Sequence, residues 1–549
     1  MSSWKTISRA SLLAALLGGT ALAQDPIEVE RLDALDPLEV GLPGASMGQR
    51  MWDGTGRDMA QAVLARLPAA DSEGYASEAL AEAARSVLAS GGRPPAGGRG
   101  DAGLAALRVD RLLAASGASE AFDLLERTPG INRAPALARW HAELGFATGN
   151  ADRACRTANA LTDNRDAPYW LRARAYCLAL EGRDAAAELT AELARSAAPD
   201  DGFDARLFAL TLDTPLDADA AGADSGLEWS MSRRLPGAGD GPGLAEDAPA
   251  WLLAAAHDGV ERRRPASVDD PMALFVTAEE TLEGMERHHA LEAVLAQGMD
   301  RELAGQALGV LLADTGGGDR FIHVARHHGR EIETLPITRA TLEHGYEIAL
   351  AALLVGDVGL AREWRDRLMN GPPRQTPPPG LTVTGPDGIA KPLPMDAAAA
   401  LALPPEPEWV PPSPRRMVAL DLAIAVAADA MRGGPYEAVQ AAWLEGQGEA
   451  VLPDMLAMTR LGAPMPAGFR ERLLADQTPA SAGGLAALDA AVRAGVRGEA
   501  ALLAIGILAD PAAAGHPDAF SRAIAALDAV GLREAALSIL LERAVKRAL

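Results

Sequence analysis

Five of the nine histidines in this 549-residue chain fall in two short clusters, His288-His289 and His323-x-x-x-His327-His328. On a helix, His323 and His327 share one face, a spacing that can hold a metal ion. No Glu follows His323, so the His-Glu-x-x-His pattern of zinc proteases is absent. Arg326 and Arg330 make that face cationic, which opposes a metal ion. We read these histidines as surface or interface residues and assign no metal ligand.

Other chemical spellings fail on their context. Gly44-Ala45-Ser46-Met47-Gly48 has the Gly-x-Ser-x-Gly spacing of a nucleophile elbow. That chemistry needs a strand before the Ser and a helix directly after it, to hold the hydroxyl on a strained turn. Asp36 to Pro43 offers at most a token strand, so the segment reads as a flexible loop. Asp217-x-Asp219-x-Ala221-Gly222, with Glu228 in twelfth place, nearly spells a calcium loop. Ala221 removes the fifth-position ligand, and Arg233-Arg234-Leu235-Pro236 leaves little room for an outgoing helix, so this reads as an acidic loop. His141-x-Glu143 lacks the downstream cysteine pair that a deaminase zinc site requires. No Gly-rich phosphate loop with Lys and no dinucleotide fingerprint is present, so no cofactor and no catalytic residue are assigned.

Cys155 and Cys177 are the two cysteines. Their midpoint, Asp166, lies in the polar turn Thr162 to Pro168, and residues equidistant from the turn of an antiparallel helical hairpin lie opposite one another. The pair is placed to form a bridge that clamps the hairpin, provided the compartment is oxidising. Two buried free thiols are the alternative.

The N-terminus speaks to the compartment. Lys5 and Arg9 supply a positive end, Ser11 to Leu22 a short apolar core, and Ala21-Leu22-Ala23 a small-residue cleavage site. These are the three parts of a secretory leader, with cleavage expected between Ala23 and Gln24. The apolar core falls short of the roughly 18 residues that span a bilayer. The mature chain is expected not to be integral to the membrane. Formal charge is −24, and −26 once Lys5 and Arg9 leave with the leader. That balance argues against nucleic acid, whose phosphates are neutralised by Lys and Arg, and against an anionic lipid surface.

What positions these residues is helix. The chain is 48% hydrophobic but only 4% aromatic, with Ala dominant. Ala loses no side-chain entropy in a helix, and no sustained alternation of β-branched and aromatic residues suggests a large sheet. We divide the chain into a leader (1–23), an extended lead-in (24–56), N-terminal helical repeats (57–212), a loop or boundary (213–246), central helical repeats (247–370), a Pro-rich linker or insertion (371–416) and C-terminal helical repeats (417–549). The Pro-rich stretch holds fourteen prolines between Gly371 and Pro414, which excludes continuous helix. Leu381-Thr382-Val383-Thr384 with Asp387-Gly388 predicts a small hairpin inside it, and Trp409 is expected to dock on its own chain.

Two segments 33 residues apart carry one spacing: Ala142–Gly149–Ala154 and Ala175–Gly182–Ala187. Ala349–Gly356–Ala361 is a third copy, and Gly495–Ala500 and Gly531–Ala536 repeat half of it. The pattern resembles the tetratricopeptide repeat (TPR) family, in which a small residue, a turn Gly and an Ala let two helices pack closely. The resemblance implies an all-α superhelical solenoid, in two arrays if the Pro-rich stretch separates them. Its concave face would hold a peptide, a folded partner or another subunit. These readings predict a non-enzymatic bacterial periplasmic scaffold that binds a protein or peptide partner in cell-envelope assembly, secretion or a surface machine. Two alternatives stay open: an exported enzyme acting on cell-wall polymer through paired carboxylates, and a metal- or small-ligand-binding envelope protein using the histidine cluster.

Overall fold

The computed structural model describes residues 35–217, 222–237, 243–258, 269–297, 300–372, 382–384, 390–392, 408–432, 434–465, 469 and 482–549. The leader, with Ala23 and Gln24, lies outside them, as do Asp219 and Ala221 of the acidic loop. The fold is all-α. The first helices are α1 (Arg57–Leu64), α2 (Glu78–Leu88), α3 (Ala102–Ala114), α4 (Ala118–Glu126), α5 (Pro135–Ala147), α6 (Ala151–Ala160), α7 (Pro168–Leu180), α8 (Asp184–Ala197), α9 (Asp201–Leu212) and α10 (Gly226–Ser232). The middle holds α11 (Ala250–Asp258), α12 (Pro271–Glu280), α13 (Gly284–Gln297), α14 (Arg301–Asp314), α15 (Gly318–His327), the short α16 (Gly329–Ile332) and α17 (Arg339–Leu342), α18 (Gly345–Leu354) and α19 (Val358–Asn370). The remainder is α20 (Pro414–Ala427), α21 (Gly434–Gln447), α22 (Leu452–Arg460), α23 (Ala482–Ala494), α24 (Arg497–Ala509), α25 (Pro511–Gly515), α26 (Pro517–Ala529) and α27 (Arg533–Ala548). Between α19 and α20, β1 (Thr382–Thr384) and β2 (Ala390–Pro392) pair antiparallel, with Val383 opposite Lys391. This is the hairpin expected within the Pro-rich stretch.

Local signals explain where these helices start and stop. Side chains of Ser77, Asp101, Asp200, Ser225, Asp270, Asp300, Asp357 and Ser413 each accept a hydrogen bond from a backbone N–H of the helix they precede. Such caps satisfy first-turn donors that have no partner inside the helix. Gly149, Gly182, Gly356, Gly495 and Gly531 all adopt positive φ, between +70° and +88°, at the turns of the hairpins α5–α6, α7–α8, α18–α19, α23–α24 and α26–α27. Gly takes that conformation without a Cβ penalty.

The small residues of the spacing sit where the hairpins close. Ala142, Ala154, Ala175, Ala187, Ala349, Ala361, Ala500 and Ala536 are all fully buried. At Gly145 of α5 a Cβ would stand 3.2 Å from the Ala154 Cβ of α6, so the two helices approach almost backbone to backbone.

Two apolar cores result. A smaller one joins α5 to α10 through Phe146, Trp170, Tyr176, Phe203, Leu227 and Met231. The larger takes in the helices of both ends and the middle. α5 is the wall between them: Leu137, Leu144 and Ala147 face the large core while Ala138, Ala142 and Phe146 face the small one. Helices on both sides of the Pro-rich stretch share the large core and are tied directly, with Arg365 Nε 2.8 Å from Asp421 Oδ1 and Arg416 paired to Glu347. The helices on its two sides therefore belong to one packed body. The ends of that body also meet, because α2 packs on α24 and α27.

Candidate functional site

The hairpin α6–α7 carries the Cys155–Cys177 disulfide, with Cα atoms 5.6 Å apart, as the symmetric spacing about Asp166 predicts. Closing a loop of this length restricts the unfolded chain by roughly 3 kcal/mol. The bridge anchors α7, and α8 packs on α7. α8 buries little more than Ala187, Ala191 and Ala194. Its larger side chains point away: Leu189 is 67% and Leu193 54% exposed, one helical turn apart. The next helix, α9, does the same with Phe208 at 65% and Leu212 at 55%. Four large exposed apolar residues on two successive helices mark a surface that water covers poorly. The same two helices carry Asp184, Glu188, Glu192, Asp201 and Asp204, with Arg195 held 2.7 Å from Asp204 Oδ2. α9 is in turn fixed from below by Arg206. This buried guanidinium lies 3.3 Å from Glu228 Oε2 on α10 and donates to Ser232 Oγ at 2.9 Å.

Glu228 is thus engaged in an ion pair. Burial pushes its carboxyl up to about 7, against the pull of Arg206. Glu143 of α5 performs a comparable structural task. It is buried, and the backbone N–H of Gly226, at the start of α10, donates to its Oε2 at 2.7 Å. Burial raises its pKa, while Tyr169, that backbone N–H and Arg139 act against the shift. His141, two residues earlier on the same helix, faces elsewhere: Nδ1 lies 2.8 Å from Thr157 Oγ1, Nε2 lies 2.7 Å from Glu126 Oε1, and the ring stacks on Phe122 at 5.1 Å. His141 and Glu143 thus have separate partners.

The histidines do converge, though not as their spacing suggested. α13 presents His288 and Glu292 four residues apart, and α15 ends at His327, next to His328. His328 is buried, and its Nε2–H donates to Glu292 Oε1 at 3.0 Å. His288 Nε2 stands 3.7 Å from the same oxygen. The His327 ring meets that of His328 edge-on at 4.8 Å, and the ligand atoms of Glu292, His327 and His328 all lie within 4.8 Å of one another. Burial would raise the Glu292 carboxyl, but the hydrogen bond from His328 and the fields of His328, His288 and His327 hold it below the usual range. His323 is exposed, with its ring 6.3 Å from that of His327, and is not in the cluster. Arg326 turns aside to Glu542 at 3.0 Å and Glu78 at 3.2 Å. The i, i+4 spacing of His288 and Glu292 was legible in the sequence. That α13 would lie beside the end of α15 was not.

Two further motifs resolve into packing. Ser46 lies in a loop whose next residue, Met47, is buried and donates its backbone N–H to Ser90 Oγ at 3.0 Å. The Ser46 hydroxyl itself is buried with no base hydrogen-bonded to it. Trp409 docks on its own chain as expected, its Nε1–H donating to Leu368 O at 2.8 Å and its ring lying against Gly371. Among the described residues no helix is long and apolar enough to cross a membrane. Comparison of the chain with family models, with curated proteins and with solved structures finds no match.

Proposed function

We propose that the chain is an exported TPR-like helical-repeat scaffold that binds a protein or peptide partner in the bacterial envelope through the outer face of α8 and α9. The observation that carries this reading is the exposed set Leu189, Leu193, Phe208 and Leu212, set on a hairpin array that a disulfide and a buried ion pair make rigid. A rigid apolar face loses little entropy when it binds, which favours association. The carboxylates of Asp184, Glu188, Glu192, Asp201 and Asp204 on the same two helices complement Lys and Arg. The partner is therefore an amphipathic segment with apolar anchors and a basic flank, docked as a helix against helices. Cleavage between Ala23 and Gln24 and residence in the periplasm, in envelope assembly, secretion or a surface machine, belong to the same reading. No catalytic step is part of it.

The experiment is capture from native envelopes with wild-type protein and with a Leu193→Asp, Phe208→Asp double variant. A partner retained by the wild type and lost by a normally folded variant supports the reading. Identical capture by both overturns the assignment of the face. Recovery of the chain from the cytosol, with residues before Gln24 still attached, overturns the compartment.

A further inference from the structure

We propose that Glu292, His327 and His328, with His288 as a fourth donor, form a binding site for a divalent transition metal ion of the zinc class. The donor chemistry is imidazole nitrogen and carboxylate oxygen, a set that suits zinc and its neighbours better than calcium or magnesium. The spacing fits as well. Zinc bonds of about 2.0–2.1 Å in a tetrahedron put neighbouring ligand atoms about 3.3 Å apart. The existing 3.0 Å edge between His328 Nε2 and Glu292 Oε1 needs only a small expansion when the shared proton gives way to a metal ion. His327 is exposed, and its ligand atom stands within 4.8 Å of the other two. His288 Nε2, 3.7 Å from Glu292 Oε1, offers a fourth donor beside that carboxylate.

The surroundings support the ion. Glu331 Oε2 lies 4.0 Å from His328 Nδ1, on the side away from the metal position. The field of a carboxylate on that side favours the proton on Nδ1 once a metal ion takes Nε2. Arg326, the cation that argued against a metal in the sequence, is neutralised by Glu542 and Glu78. Arg287 is likewise held by Asp314. His288 also lines a cavity of about 280 Å³ with Arg287, Asp314 and Arg320, which gives an ion a route in from solvent. A helix staple would need only the pair Glu292–His328. Two further imidazoles gathered at the same carboxylate are what a ligand set requires.

The test uses full-length protein without a histidine tag, stripped by chelation and titrated with zinc chloride by calorimetry and with cobalt(II) by visible absorption. One equivalent should bind. His327→Ala and Glu292→Gln should each weaken binding at least as much as the roughly 10–100-fold that loss of an outer-shell partner costs. His323→Ala and His289→Ala should leave it unchanged. Because His327 is exposed, its loss tests the site even if His328→Ala fails to fold. No stoichiometric uptake overturns the proposal. So does uptake that survives His327→Ala and Glu292→Gln, or that His323→Ala removes.

Discussion

Glu542, seven residues from the end of the chain, accepts a hydrogen bond from the backbone N–H of Ala79 at 2.6 Å. Arg326 Nη2 donates to the same oxygen at 3.0 Å, and the other oxygen accepts from Ser77 Oγ, also at 2.6 Å. One buried carboxylate thus ties the first turn of α2 to α27 and to α15. Neighbouring contacts on α27 reinforce it, with Arg543 and Arg547 both on the buried Asp454 and Lys546 paired to Asp319. Glu542→Ala strips a partner from Arg326 and from the α2 N-terminus at once. Breaking a buried charge pair from one side costs about 3–5 kcal/mol. We expect a loss of about 3 kcal/mol in urea unfolding and early proteolysis near α2. A variant within 0.5 kcal/mol of wild type, a magnitude typical of surface substitutions, would show that the closure carries no weight.

The disulfide stabilises the array beneath the exposed face. Cys155→Ala, Cys177→Ala should lower stability by roughly 3 kcal/mol, and reductant should do the same to the wild type while leaving the double variant unmoved. Limited proteolysis should report the loss first in α6–α9, because that array has its own core. A melt of the wild type insensitive to reductant would exclude the bridge as a stabilising element.

How much of this was legible beforehand follows from range. Features set by residues within a turn or two could be read directly: the Gly turns at 149, 182 and 356, the buried Ala positions around them, the hairpin at Thr382 and the pairing of Cys155 with Cys177. Features set by packing across hundreds of residues could not. Nothing in the composition of α2 says that Ala79 will meet Glu542, or that the ends will share a core across the Pro-rich stretch. The histidines show both sides. His323 and His327 share a face as helical spacing dictates, but the cluster forms with Glu292, whose position depends on how α13 packs. The exposed leucines of α8 were hidden for another reason. A helix that buries alanines and displays leucines inverts the usual amphipathic reading, and only burial distinguishes the two faces.

Gly498, at the start of α24, touches the N-terminal loop so closely that a Cβ would fall 1.9 Å from Met51 O. The obstacle is backbone, which cannot swing aside as a side chain can. Gly498→Ala must therefore move the loop or the helix, and overpacking of this kind costs about 1–3 kcal/mol. Gly446→Ala, with open space around its Cβ, is the control and should be neutral or slightly stabilising. Chemical denaturation of the two variants side by side checks this. Equal midpoints would mean that the loop at Met51 does not bear on α24 in solution.

Glu228 makes stability depend on pH in a direction unusual for a carboxylate. Burial raises its folded pKa to about 7, above the ordinary value of 4.5, with Arg206 acting against the shift. A carboxyl that binds its proton more tightly when folded contributes stability in full below its unfolded pKa. That contribution is lost as pH rises through the folded value. The window therefore runs from about pH 4.5 to about pH 7. At 1.36 kcal/mol per unit, the span is on the order of 3 kcal/mol. Glu143 and Glu542, also raised by burial, add to the same slope. Glu228→Gln keeps the shape and a neutral group beside Arg206, so it should flatten part of the decline between pH 5 and pH 7. Urea melts across that range measure it. A wild type whose stability rises with pH there, or a variant with an unchanged slope, would remove Glu228 as the source.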